Sequence, residues 1–136
     1  MDFAEARQFL SAHHRAILAT RRRDGSVQLS PVTVGVDADG RAIVSSRETA
    51  YKTRNLRRDP RAAVCVFVDT FFGPWVQVDG TAEIVALPEA MDLLIDYYRR
   101  VAGEHPDWDA YRQAMRREQR VLIRITIERA GPDRKG

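Results

Sequence analysis

Residues 52–70 read KTRNLRRDPRAAVCVFVDT, a short basic segment that passes through a proline into a valine-rich run. The basic segment predicts a helix capped by Thr49 and ended before Pro60, because the residue preceding a proline is driven away from helical geometry. The run that follows is apolar on both faces, with Val64 on one and Cys65 on the other. It therefore predicts a strand covered on both sides.

The sequence on either side of this stretch predicts five further strands and three further helices. Alternating apolar residues, Asp-Gly turns and a glycine inside a strand pattern at Gly80, which is typical of a bulge, support the strands. The strands span 16–20, 27–36, 41–46, 75–86 and 120–129, and the helices span 2–13, 89–103 and 107–118. Six strands with inserted helices predict an α+β fold, an antiparallel barrel in a single domain over residues 1–136.

Composition limits the classes of function. The chain has 136 residues, of which 44% are hydrophobic and 30% charged, as expected of one globular domain. No apolar run is long enough for a membrane span and the N-terminus lacks an apolar signal core, so we expect a cytoplasmic protein. Cys65 is the only cysteine, and His13, His14 and His105 are scattered, so no metal site is expected. No nucleophile elbow is present, which argues against a hydrolase.

The densest chemical signal lies between Ser45 and Arg61, where basic residues outnumber acidic ones. On the predicted helix, Lys52 and Asn55 share a face near the first turn and could hold an anion such as a phosphate. The alternative is a solvated basic face that pairs with nearby carboxylates. Nucleic-acid binding is not expected, because Tyr51 is the only aromatic residue interleaved with these charges.

Three other positions offer groups that a flat ligand could use. The pair Ser45-Ser46 ends the strand before the helix, and Ser30-Pro31 lies in the neighbouring hairpin strand. Ordinary turn chemistry explains these hydroxyl groups equally well. Trp75 follows a Gly-Pro turn, where its indole could stack on a ring or cap the core.

The segment KTRNLRRDPRA resembles the signature of the F420-dependent group within the flavin/deazaflavin oxidoreductases, which belong to the pyridoxamine-phosphate-oxidase-like superfamily. LATRRRDGSVQLSPV resembles the first hairpin of that family. AGEHPDWDAYRQAM and RVLIRITIER resemble its C-terminal helix and last strand. The resemblance extends from about Ile17 to Arg129, almost the whole chain.

This resemblance implies a split-barrel homodimer that binds its cofactor at the subunit interface. Close relatives often carry an arginine where this chain has Ala50, and Arg47 or Arg54 could compensate for its absence. The cofactor-binding residues that it implies are Lys52 and Asn55 on the phosphate, Ser45 beside the ring, Gln28, Pro31 and Val32 along the other ring edge, Trp75 from the second subunit, and the adjoining Ser30, Ser46, Arg47 and Tyr51.

The function implied is that of an F420-dependent reductase, which transfers a hydride between reduced F420 and a small conjugated substrate. Such chemistry belongs to the ring, so the protein needs an anchor and a dry slot rather than a nucleophile, and no catalytic residue is assigned. The arginine-rich helix suits the oligoglutamyl tail of F420. Two alternatives stay open: an FMN-dependent oxidase of the pyridoxamine-phosphate type, and a non-catalytic protein that binds the cofactor or haem.

Overall fold

The computed structural model describes residues 1–133 as an α+β fold with one curled antiparallel sheet and four helices. The strands follow the order β2-β1-β5-β6-β7-β4-β3 across the sheet. Their bounds are β1 Arg15–Arg21, β2 Val27–Thr33, β3 Gly35–Val36, β4 Ala42–Arg47, β5 Arg61–Phe67, β6 Trp75–Val85 and β7 Arg120–Gly131. The helices are α1 Phe3–Ala12, α2 Tyr51–Arg58, α3 Ala90–Ala102 and α4 Trp108–Arg117.

The described residues form seven strands, so the predicted number of six is wrong. The difference arises at Val34, which divides the expected strand 27–36 into β2 and β3. β2 pairs with β1, whereas β3 pairs with β4. Alternation of apolar residues continues through Val34, so the sequence pattern alone could not reveal that the two halves have different partners.

The division at Val34 forces the sheet to curl. β2 and β3 are consecutive in the chain but lie at opposite edges of the sheet, so the two edges must come together. Val34 is fully buried where they meet. In the gap, the Tyr97 hydroxyl donates to the Thr33 carbonyl oxygen at 2.7 Å and also lies at the backbone of Ser45 in β4. A side chain from α3 therefore bridges the open seam of the barrel.

Two apolar clusters hold this architecture. The first fills the inside of the curled sheet with valines and isoleucines, and α1 adds Ala6 and Leu10 to it. The second lies outside, where α3 and α4 pack on Ile43 of β4 and Leu122 of β7. β7 thus contributes to both clusters, and the predicted alternation along it is confirmed by burial of Val121, Ile123, Ile125 and Ile127.

The helix α2 begins later than predicted and has a different cap. Ala50 occupies the N-cap position and offers no side-chain hydrogen bond, so the prediction of a Thr49 cap is wrong. A turn over residues 48–50, closed by the Ala50 amide donating to the Arg47 carbonyl oxygen at 3.1 Å, delays the helix to Tyr51. The helix ends at Arg58, before Pro60 as predicted.

The buried residue Asn55 fastens α2 to the sheet. Its amide nitrogen donates to Gln28 Oε1 at 2.8 Å and to Thr20 Oγ1 at 3.1 Å. Its side-chain oxygen, Oδ1, accepts from the Arg58 guanidinium group at 3.1 Å. These contacts tie the helix to both β1 and β2, which fixes its position over the seam.

The outer face of β5 is only half-buried in one copy of the chain. Val64 and Val66 are fully buried inside, whereas Cys65 and Phe67 are partly exposed. The prediction of a strand covered on both sides is therefore wrong for the single chain. An apolar sequence pattern shows which strand faces are suited to burial. It does not show whether the same chain or another molecule packs against them.

Gly80 lies at a register shift between β6 and β7, as predicted for a bulge. A Cβ atom here would lie 1.9 Å from the Thr126 carbonyl oxygen. We expect Gly80→Ala to destabilise the protein by about 3 kcal/mol, because the two strands must move apart. Gly25→Ala, where a Cβ meets open space at a positive φ, should cost about 1 kcal/mol. Urea unfolding measures the loss of stability in each variant. Equal losses would contradict the close approach of β7 to Gly80.

Asn55→Ala should lower the free energy of unfolding by about 1–3 kcal/mol, because it leaves Gln28 and Thr20 without their partner under α2. Arg57→Ala on the exposed face of the same helix should change it by about 0.5 kcal/mol or less. Urea denaturation monitored by circular dichroism gives both values. An Asn55→Ala variant as stable as the parent would show that these hydrogen bonds do not hold the helix.

Candidate functional site

Two grooves open on either side of α2. The first has a volume of about 620 Å³ and is called the tyrosine groove, and the second, of about 520 Å³, is called the arginine groove. The tyrosine groove is lined by Pro31, Val32, Thr33, Ser45, Lys52, Tyr97, Tyr98, Tyr111, Met115 and Arg120. The arginine groove is lined by Arg22, Arg23, Gln28, Tyr51, Arg54, Asn55 and Arg58.

Helical geometry explains why α2 serves both grooves. Tyr51, Arg54, Asn55 and Arg58 follow the spacing of one helix face and turn toward the arginine groove. Lys52 lies beside this face and points into the tyrosine groove. β2 also serves both, with Gln28 near one end and residues 31–33 at the other, a distance of roughly 10–16 Å along an extended strand.

Lys52 is a half-buried cation without a carboxylate partner among residues 1–133. Burial lowers the pKa of its ammonium group, and the positive charge of Arg120 lowers it further. Both effects penalise the charged form, and an anion bound in the groove would reverse them. Within residues 1–133 no negative charge compensates Lys52, so its charged form carries the full cost of partial burial.

Arg120 adds a second positive charge to the tyrosine groove. Its Nε and one terminal nitrogen donate to Glu118 Oε1 at 3.1 and 2.9 Å. The same carboxylate oxygen accepts from Arg47 at 3.2 Å. One carboxylate thus serves two guanidinium groups, which leaves excess positive charge beside Lys52.

The solvated-face interpretation is correct for part of the basic segment. Arg57 pairs with Glu48 at 2.8 Å, and Arg61 pairs with Asp59 at 2.7 Å. Hydrogen bonds from the Arg61 side chain and backbone lower the pKa of Asp59 to about 2. Arg54 differs from these, because no carboxylate within the described part of the chain accepts from it.

The predicted cofactor residues divide between the two grooves. The prediction that Lys52 and Asn55 share a helix face is wrong, because the two side chains line different grooves. Asn55 is also engaged by Gln28 and Thr20, so its first role is structural. The tyrosine groove gathers Lys52, Ser45, Pro31 and Val32, whereas the arginine groove gathers Asn55, Gln28 and Tyr51.

Four other predicted residues lie outside both grooves. Ser46 is buried and its hydroxyl accepts from Thr53 at 2.8 Å. The Ser30 hydroxyl is buried without a hydrogen-bond partner among residues 1–133. Arg47 is bonded to Glu118 at the surface. Trp75 lines a separate cavity of about 290 Å³ beside the C-terminal half of β7.

Sequence reasoning missed the far wall of the tyrosine groove. Tyr97, Tyr98, Tyr111 and Met115 come from α3 and α4, and Arg120 begins β7. The helices that carry these residues were predicted, but apolar and aromatic residues at helical spacing are typical of a core face and do not reveal a groove. The pairing of Arg47 with Arg120 across β4 and β7 brings this wall to α2, and that pairing depends on the topology of the sheet.

The chemistry available is anion binding beside a flat, aromatic-lined slot. Within the described residues, no group of three or more His, Cys, Asp or Glu side chains is placed to hold a metal ion. No helix among them is long and apolar enough to cross a membrane. The lining of the tyrosine groove could hold a ring with a phosphate, because Lys52 offers the charge and residues 31–32 offer an apolar edge.

Comparisons with solved structures identify proteins of the same fold. A conserved hypothetical protein from Mycobacterium tuberculosis is 30% identical over 96% of this chain and 82% of its own, with a TM-score of 0.76. An F420 reductase is 22% identical over 91% and 94%, with a TM-score of 0.69. A haem-binding protein from Mycobacterium smegmatis is also 22% identical, over 98% and 56%, with a TM-score of 0.72.

The match at the level of family covers nearly the whole chain. The family described as pyridoxamine 5'-phosphate oxidase matches residues 3–132, from α1 through the end of β7. The match includes both grooves, and the curled sheet agrees with the split barrel that the sequence resemblance implies. The chain therefore belongs to the pyridoxamine 5'-phosphate oxidase family.

Proposed function

We propose that the chain is an F420-dependent oxidoreductase that transfers a hydride between reduced F420 and a small conjugated substrate. The observation that carries this proposal is Lys52, a half-buried cation in the tyrosine groove without a carboxylate partner in residues 1–133. A buried ammonium group is costly unless an anion compensates it. A phosphorylated ring cofactor supplies that anion.

The arginine groove favours F420 over FMN. Four guanidinium groups and no carboxylate line it. FMN carries one phosphate and no further anionic group, so it has no use for a second cationic groove, whereas the oligoglutamyl tail of F420 adds carboxylates that pair well with arginine. Both grooves border α2 and β2, so a long cofactor could reach from one to the other.

In this proposal each groove has its own task. Lys52 holds the phosphate, while Pro31 and Val32 support one edge of the ring and Ser45 the other. Arg23 and Arg54 receive the tail.

The bound deazaflavin supplies the hydride chemistry. The chain anchors the cofactor, orients its ring and excludes water on the side walled by α3 and α4. No side chain in the tyrosine groove is paired with a base in the manner of a nucleophile. This absence agrees with a reaction in which the protein need not form a covalent intermediate.

Titration with F420 and with FMN, monitored by quenching of cofactor fluorescence, tests the proposal. We expect tighter binding of F420, and we expect Lys52→Ala to weaken it by about tenfold to hundredfold, because a charge-assisted hydrogen bond is lost. Oxidation of bound reduced F420 by a conjugated acceptor, over many turnovers, separates an enzyme from a cofactor carrier. Tighter binding of FMN would favour the oxidase alternative.

Two arginines on the same helix provide a matched control. Arg54→Ala should weaken F420 by about tenfold and leave FMN unchanged, because it removes a contact that only the tail can use. Arg57→Ala should leave both affinities unchanged, since Arg57 lies outside the grooves and pairs with Glu48. Equal losses of F420 in both variants would indicate general electrostatic attraction rather than a tail site.

We also propose that the chain forms a homodimer through the outer face of β2, β1 and β5. In-register neighbours on this face include Leu29, Ala19 and Ala63, and also Pro31, Ile17 and Cys65. Leu29 is 66% exposed in the single chain. A second copy that covers this face would bury the apolar row beside Pro31 and could bring its own Trp75 to the cofactor.

Sedimentation equilibrium tests the dimer. The protein should have twice the mass of the chain, and Leu29→Glu should yield a folded monomer, because it places a charge in the apolar face. Gln113→Glu on the exposed side of α4 is the control and should remain dimeric. A parent protein of single-chain mass would overturn the proposal.

A further inference from the structure

The far wall of the tyrosine groove is a rigid aromatic cluster. Tyr98 packs edge-on against Tyr111 and Trp108, with ring centroids 5.2 and 5.8 Å apart. Trp108 packs likewise against Tyr111 at 5.5 Å. The Tyr111 hydroxyl donates to the Leu94 carbonyl oxygen at 2.8 Å, which fixes that ring. Tyr98 and Tyr111 line the groove, so they present a preformed surface for a flat ligand.

Arg120 lies in the same groove and has hydrogen-bond donors that its partner Glu118 does not use. Two of its nitrogens bind one oxygen of Glu118, and the remaining terminal nitrogen has no partner in residues 1–133. Glu118 is shared with Arg47, so its single charge does not neutralise both guanidinium groups. No Asp or Glu lines the groove.

The charge of Arg120 acts across the whole groove. It lowers the pKa of Lys52 on one side. It also opposes the burial that raises the pKa values of Tyr97 and Tyr111 on the other. An anionic group placed among these side chains would be attracted from several directions.

We propose that the tyrosine groove selects flat, conjugated substrates that carry a carboxylate, with Arg120 binding the carboxylate and Tyr98 and Tyr111 packing against the ring. This inference rests on the proposed function, in which Lys52 is committed to the cofactor phosphate. Arg120 is then the residue that determines specificity. A planar guanidinium group matches a carboxylate better than a compact ammonium group does.

Isothermal titration with 2-naphthoate and its neutral counterpart 2-naphthamide tests the inference on the full chain, first cofactor-free and then saturated with F420. We expect naphthoate to bind about tenfold more tightly than naphthamide in both states, which is the size of one charge-assisted contact. In the F420-saturated protein, where the phosphate occupies Lys52, Arg120→Gln should abolish that preference, whereas Arg116→Gln, on an exposed position of α4, should preserve it.

The affinity for F420 is measured in the same preparations, so that failure of the proposed function can be distinguished from failure of the carboxylate inference. Failure of the proposed function appears as absent F420 binding with the carboxylate preference intact. Equal affinity for the two probes overturns the present inference while F420 binding persists. If Arg120→Gln instead weakens F420 about tenfold and naphthoate no longer binds after saturation with F420, Arg120 serves the cofactor and the inference is wrong.

Glu118→Gln provides a second variant that leaves Arg120 in place, should Arg120→Gln prove unfolded by circular dichroism. It removes the negative charge that Arg120 shares with Arg47. Naphthoate affinity should then rise several-fold, with naphthamide unaffected. An unchanged or weaker affinity for naphthoate would contradict the role of Arg120.

Discussion

The structure depends on a topological constraint at Val34, where two consecutive strands separate to opposite edges of one sheet. The chain between β2 and β3 is too short to cross a flat seven-stranded sheet, so the sheet must curl until its edges meet. The seam that results is bridged by the Tyr97 hydroxyl rather than by a continuous ladder of strand hydrogen bonds. α2 lies over one side of the seam and the α3–α4 pair over the other, and both grooves follow from this arrangement.

The basic residues of this framework fall into two groups, those paired with carboxylates at the surface and those that line the grooves. Arginines on the outer side of α2 and on β5 have carboxylate partners, which makes them ordinary surface ion pairs of small energetic value. The cations of α2 that turn toward the grooves, Lys52, Arg54 and Arg58, have no carboxylate partner in residues 1–133, and burial makes this costly for Lys52 in particular. A protein can retain an uncompensated cation of this kind when a ligand supplies the missing charge, and this is the physical basis for proposing that the grooves bind an anionic cofactor.

Local pattern predicted much of the fold, because helices, strands and bends are encoded by neighbouring residues. The Gly80 bulge and the β7 alternation are examples, and both agree with the structure. The division at Val34 could not be predicted, since it depends on which strands become partners. The same limit applies to the site: Lys52 was visible in a basic segment, whereas Arg120 joins it only through the pairing of β4 with β7. Burial of Asn55 in a hydrogen-bond network was also beyond sequence spacing, which put it wrongly on the same helix face as Lys52.

A crystal structure of the protein with F420 tests the central claim most directly, because it locates both ends of the cofactor in one measurement. The account predicts the phosphate within hydrogen-bond distance of Lys52, the ring along the Pro31–Val32 edge of the tyrosine groove, and tail carboxylates against Arg23 and Arg54. A cofactor bound elsewhere on the barrel, with Lys52 left without an anion, would contradict it.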